Sequence, residues 1–152
     1  MDGVNILFIC TGNTCRSPMA EALLKGEQIP GVEVRSAGIS AMAGLPPSRH
    51  AVTLISRHGL PAAGPSANAD EELVGWADLI LTMTDGHRRA LERSFREAKG
   101  KTFRLNSYVG LGERDIADPF GGNESDYRIA FDELKEAVGQ LAEALRRNMR
   151  QP

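Results

Sequence analysis

An apolar run that stops on a cysteine, with an arginine six residues further on and a helix signature directly after it, constrains this chain more than any other feature. Val4-Asn5-Ile6-Leu7-Phe8-Ile9 is aliphatic and β-branched apart from Asn5 and one ring, and has the length of a buried parallel strand. Such a strand delivers Cys10 to the edge of a sheet. Ser17-Pro18 pairs a favoured cap residue with a favoured first helical residue, and Met19-Ala20-Glu21-Ala22-Leu23-Leu24-Lys25 has high helix propensity. The predicted helix starts at Ser17 and points its amino terminus back at the loop.

The loop Cys10-Thr11-Gly12-Asn13-Thr14-Cys15-Arg16-Ser17 suits an anion cradle. Gly12 and Asn13 both tolerate positive φ, so successive N–H groups can turn inward as a nest, and the helix end adds partial positive charge. Arg16 offers a planar fork matched to two phosphate oxygens, which a lysine cannot reproduce. The same positive field favours thiolate over thiol at Cys10, whereas a cysteine on a strand in an ordinary core is an inert small hydrophobe. Cys-x5-Arg-Ser alone is a loose pattern, and the strand before it and the helix start after it give it weight.

With the whole run from Cys10 through Ser17-Pro18-Met19-Ala20-Glu21-Ala22 in view, the chain resembles the low-molecular-weight protein tyrosine phosphatase family over essentially its full length. Further matching segments are Ser36-Ala37-Gly38, Ile80-Leu81-Thr82-Met83 and Asp118-Pro119-Phe120. Within the family, Thr14 and Phe120-Gly121 look like the bacterial protein arginine phosphatase branch. The resemblance implies one phosphatase domain over residues 1–152, α/β in class, with a four-stranded parallel sheet and helices on both faces.

Composition agrees with that size. At 152 residues, 41% hydrophobic and 25% charged, the chain fits one domain with an adequate core. A formal net charge of −2 with dispersed lysines and arginines gives no nucleic-acid footprint, and pairs such as Arg88-Arg89 and Arg146-Arg147 read as solvated helix faces. No stretch approaches the roughly 18 apolar residues of a membrane span, so no membrane partner is expected and the location is expected to be cytoplasmic. The two cysteines, Cys10 and Cys15, share one short loop and cannot staple distant elements. His50, His58 and His87 have no ligand spacing with them, so exposed or packing roles are expected, and no metal or other cofactor. A monomer is expected.

Alternation of apolar and amphipathic segments gives a βαβα order. After the first strand and helix come a strand over Val32–Ala37, a helix from Pro47-Ser48 with Ala51, Leu54 and Ile55 on one face, and a third strand ending at Thr82. Trp76 is expected as a core anchor. A helix is predicted over Asp85–Ala98, a short strand over Lys101–Leu105, and a closing helix over Asp126–Met149 with Ile129, Leu134, Val138, Leu141 and Leu145 inward. Two irregular stretches, 62–67 and 110–123, remain. By composition Asp118-Pro119 in the second is a simple turn.

The family resemblance makes Asp118 a proton donor instead, facing the leaving group opposite Cys10. It implies a phosphocysteine formed on Cys10, with Arg16 and the loop amides of Thr11, Gly12, Asn13, Thr14 and Cys15 holding the phosphoryl oxygens, and no metal. Ser17 is expected to donate to the sulfur and to cap the helix, and Asn13 to lock the loop together with Ser36. Some family members hold that loop with a histidine after the second helix; this chain has Gly64-Pro65-Ser66 nearby, so that support is either absent or supplied differently. Tyrosine phosphatases of the family generally carry an aliphatic residue at the Thr14 position and an aromatic pair after Asp-Pro. Thr14 and Phe120 are therefore the candidate specificity residues, and phosphoarginine in proteins is preferred over phosphotyrosine as substrate. Cys10 and Cys15 are a candidate redox pair, with a buried loop thiol as the alternative for Cys15. Rival readings are an arsenate reductase, which needs cysteines this chain lacks, and a phosphoryl carrier or phosphoprotein-binding module, which has no need of Asp118.

Overall fold

In the computed structural model, which describes residues 3–150, four parallel strands form one sheet in the order β2-β1-β3-β4. They are β1 (Val4–Cys10), β2 (Val32–Gly38), β3 (Leu79–Thr82) and β4 (Thr102–Arg104). Strand β1 lies inside the sheet, paired with β2 from Val4↔Val32 to Cys10↔Gly38 and with β3 from Ile6↔Leu79 to Ile9↔Thr82. Alternation along it splits the core in two. Ile6, Phe8 and Cys10 join one apolar cluster, and Leu7 and Ile9 the other. Asn5, the polar interruption, stitches the strand's entry: its side chain donates to Trp76 O at 3.0 Å and its N–H to Asp78 Oδ2 at 2.8 Å.

Helices α1 (Arg16–Gly26), α2 (Arg49–Arg57) and α6 (Glu124–Arg150) cover the Phe8 face. Helices α3 (Glu71–Trp76) and α4 (Asp85–Ser94) and a 3-10 turn over Arg96–Ala98 cover the other. A short helix, α5 (Leu105–Tyr108), follows β4 directly. Trp76 packs half-buried against the second cluster, with the Arg35 guanidinium 4.5 Å above its ring.

The departures from sequence expectation are local. Helix α4 stops at Ser94 because Phe95 is extended (φ −133°, ψ 114°), and the backbone resumes as the 3-10 turn rather than running unbroken to Ala98. The strand expected over Lys101–Leu105 pairs only over Thr102–Arg104, since Leu105 already opens α5. Helix α6 starts two residues early. Ile129, expected inward, is 53% exposed, because the buried stripe runs through Tyr127, Ala130, Phe131, Leu134, Ala137, Val138, Leu141, Ala142 and Leu145. Ile129 lies two residues after Tyr127, on the opposite side of the helix.

Candidate active site

At the carboxyl end of β1 the chain turns from Cys10 into the loop that ends at Arg16, the first residue of α1. Asn13 takes the positive φ that folds the loop inward (φ 55°), while Gly12 does not. The loop lies directly on the end of β2: a Cβ at Gly38 would overlap Thr11 O and press on Asn13 N. Ile39 N–H donates to Cys10 O at 2.9 Å and Ser40 N–H to Thr11 O at 3.0 Å.

Asn13 is the knot of the cradle. Its Nδ2 donates to Ser17 Oγ at 2.8 Å and Ser36 Oγ at 2.9 Å, and its Oδ1 accepts from Ala67 N–H at 2.9 Å. Ala67, in the stretch where the resemblance points to a supporting histidine, thus holds the loop with its backbone. Behind Ser36 stands Glu21, 8% exposed, which accepts the Ser36 hydroxyl and pairs with Lys25. Cys10 Sγ, nearly buried, contacts Ser17 Oγ at 2.8 Å and receives Asn13 N–H at 3.2 Å. Charge on that sulfur has two donors aimed at it. Ser17 does not cap the helix as expected: α1 begins one residue earlier, with Cys15 at the cap position and no side-chain cap. Its hydroxyl is already shared between Cys10 and Asn13.

Arg16 is 4% exposed, and its direction is fixed by one bond, from Nη1 to Ile116 O at 3.0 Å. Ile116, itself buried, pins the 110–123 loop into the core through its N–H to Met83 O at 2.9 Å. Two residues on, Asp118 extends to within 3.6 Å of Arg16 Nη2 with its side chain 55% exposed. Asp115 is engaged elsewhere, by Arg104 and the Asp85 N–H. Cys10, Thr11, Gly12, Thr14, Cys15, Arg16, Ser40, Asp118 and Phe120 together line a cavity of about 290 Å³. A larger, more open groove of about 700 Å³ runs along β2 but contains neither cysteine nor Arg16. Phe120 stands at the mouth, 78% exposed, just before Gly121 in a left-handed turn (φ 77°).

Cys15 turns from the cavity wall into the core, where its sulfur meets Tyr127 Oη at 3.2 Å. Burial, and then the contact with Cys15, push the Tyr127 phenol above its ordinary range. His87, expected to be exposed or packing, instead reaches the loop: its Nε2 lies 2.8 Å from Thr11 Oγ1. Burial, and then Arg16, lower its pKa to about 4, so the ring is neutral. Sequence reasoning missed Glu21, Ala67, His87 and Ile116. In the sequence Glu21 is one residue of a segment with high helix propensity, and the Ala67 and Ile116 contributions are backbone groups with no side-chain signature.

A loop at the end of a parallel strand, with a nearly buried cysteine at its start and a buried arginine at its close, is an arrangement that can hold an anion beside a thiol. Residues 5–151 match the model of the low molecular weight phosphotyrosine protein phosphatases, and the chain belongs to that family. A protein-arginine-phosphatase of Geobacillus stearothermophilus is 50% identical over 140 residues, 92% of this chain and 95% of the relative. Another, from Bacillus subtilis strain 168, is 40% identical over 97% of this chain and all of its own length. The solved structure of an arginine phosphatase whose active-site cysteine is replaced by a phosphorylated serine is 40% identical, covers 97% of this chain and 99% of its own, and superposes with a TM-score of 0.91.

Proposed function

We propose that this phosphatase hydrolyses phosphoarginine in proteins through a phosphocysteine on Cys10. The observation that carries the reading is the lining of one small cavity by Cys10, Thr14, Arg16 and Asp118. Cys10 thiolate attacks phosphorus, and the S–P bond forms as the P–N bond breaks. Arg16 and the loop N–H groups hold the equatorial oxygens. A guanidine is basic enough that it departs as a cation, with its proton from Asp118 and then its planar charge against the resulting carboxylate. In the second step Asp118 takes a proton from the water that attacks the phosphocysteine, releasing phosphate and restoring the thiolate. The relative phosphorylated on a serine in place of its active-site cysteine supports a covalent step.

Two relatives named for arginine support the substrate class, and Thr14, a hydroxyl-bearing residue that lines the cavity, supports it from this chain's own residues. Phosphotyrosine is the second reading, favoured by one observation: Phe120 offers an aromatic wall at the mouth. A stoichiometric carrier would not need Asp118 beside the arginine. Both cysteines are free thiols, which supports a reducing, cytoplasmic setting. Matched phosphoarginine and phosphotyrosine peptides test the proposal: kcat/KM is expected to favour phosphoarginine, and a preference for phosphotyrosine overturns it.

A further inference from the structure

We propose that His87 is a positioning residue of the phosphate loop, whose imidazole holds Thr11 in place from the far side of the sheet and so sets how tightly the cradle binds the phosphoryl group. The inference rests on the phosphatase reading of the cavity and goes beyond it to a residue outside that cavity.

Thr11 is the first residue after Cys10 and lines the cavity, yet its side chain is exposed. Its carbonyl is fixed by Ser40 N–H. Among the described residues its hydroxyl meets one group, Nε2 of His87 at 2.8 Å. His87 sits in the first turn of α4, where its N–H donates to the capping Thr84 Oγ1 at 3.0 Å. Thr84 in turn follows β3 by two residues. The bond therefore ties the opening of the cradle to β3 and α4, whereas Asn13 ties its middle to β2.

The ring makes this contact under unfavourable conditions. Its other nitrogen, Nδ1, is buried and has no hydrogen-bond partner among the described residues. Leaving such an atom unpaired is costly, so the ring's position calls for an explanation beyond packing. The charged groups that act on the ring are Arg16, which opposes its protonation, and Asp115 and Asp118, which favour it less strongly than burial and Arg16 disfavour it. The amino end of α4 adds to the opposition. A neutral imidazole with one free nitrogen is what remains to bond a hydroxyl, and it brings no second positive charge to compete with Arg16.

The test uses His87→Ala, His87→Gln, Thr11→Val and the double variant His87→Ala/Thr11→Val, with KM, kcat and competitive inhibition by inorganic phosphate as readouts. His87→Ala is expected to raise KM and the phosphate inhibition constant about five-fold each, the scale of one neutral hydrogen bond, with a smaller change in kcat. Glutamine can donate or accept from its amide, so His87→Gln is expected to restore most of the binding. The double variant is expected to be no weaker than either single one. Unchanged KM and phosphate inhibition in His87→Ala, or losses that simply add in the double variant, overturn the proposal. If His87→Ala does not fold, Thr11→Val reads the same bond, and unchanged constants there overturn it equally. Cys10→Ser serves as the control: turnover that survives it refutes the phosphatase reading of the site, whatever His87 does.

Discussion

The two halves of the site are built in opposite ways. From Cys10 to Ser17 the loop is buried at its turn and held from β2, α1 and the loop before α3, with Asn13 alone making four hydrogen bonds to Cys10, Ser17, Ser36 and Ala67. From Gly110 to Asn123 the chain is open. It is anchored by Ile116, by Asp115 with Arg104, and by Ala117 N–H on Glu133 at 2.9 Å, and it leaves Asp118 half in solvent. On the proposed reading the first half holds the phosphoryl group and keeps a fixed geometry, as electrostatic stabilisation of a transferring group requires. On the same reading the second half trades protons from a carboxylate exposed to solvent.

That contrast is sharpest under substitution. Cys10→Ser is expected to reduce turnover to background while phosphate still binds, because the amide cradle persists without the thiolate. Calorimetric titration with inorganic phosphate checks the second half, and loss of binding would mean that the sulfur itself organises the loop. Asp118→Asn, on the open half, is expected to lower kcat by about 10²–10⁴-fold with no change in the thermal midpoint. A large drop in that midpoint would mean that the Asp118 carboxylate, and not Ile116, anchors this segment.

Smaller effects test the boundary between the halves. Thr14→Ile replaces the hydroxyl of a cavity-lining residue by an apolar arm, and is expected to move the kcat/KM ratio toward phosphotyrosine peptides by roughly ten-fold. An unchanged ratio would shift selectivity to Phe120 on the other half. The smallest effect concerns stability. His87 is held neutral to about pH 4 in the folded chain, against an ordinary value of 6.5, so the unfolded chain binds the extra proton between those values and stability falls as pH is lowered through that window. His87→Gln lacks this term. Denaturant melts at pH 7 and pH 4.5 are expected to show a smaller acid loss for His87→Gln than for the parent.

What could be read in advance follows the same division. The apolar strand, Cys10, Arg16 and the helix after them lie within some twenty consecutive residues, and their meaning is local: period, propensity and spacing suffice. Asn13 was readable because few side chains accept positive φ. The second half was not readable in this way. By composition Asp118 reads as a turn, and only the family resemblance makes it a candidate proton donor before the fold brings it to Arg16, while His87 meets Thr11 across 76 positions of sequence. Ala67 and Ile116 contribute a backbone N–H and a carbonyl, which every residue but proline has, so no residue type announces them. Ile129 shows the complementary failure: the right kind of residue for a core, out of phase with the helix that carries it.

Ile116 gives the site an odd dependence. Its side chain has no chemistry, yet its carbonyl is where Nη1 of Arg16 ends, and that carbonyl stays put because the aliphatic group beside it is sunk in the core. The guanidinium is thus aimed by a greasy dowel. Whatever drives Ile116 out of its socket misdirects a cation it never opposes electrically, so on the proposed reading the grip of this surface on an anion is underwritten from inside the protein, by oil.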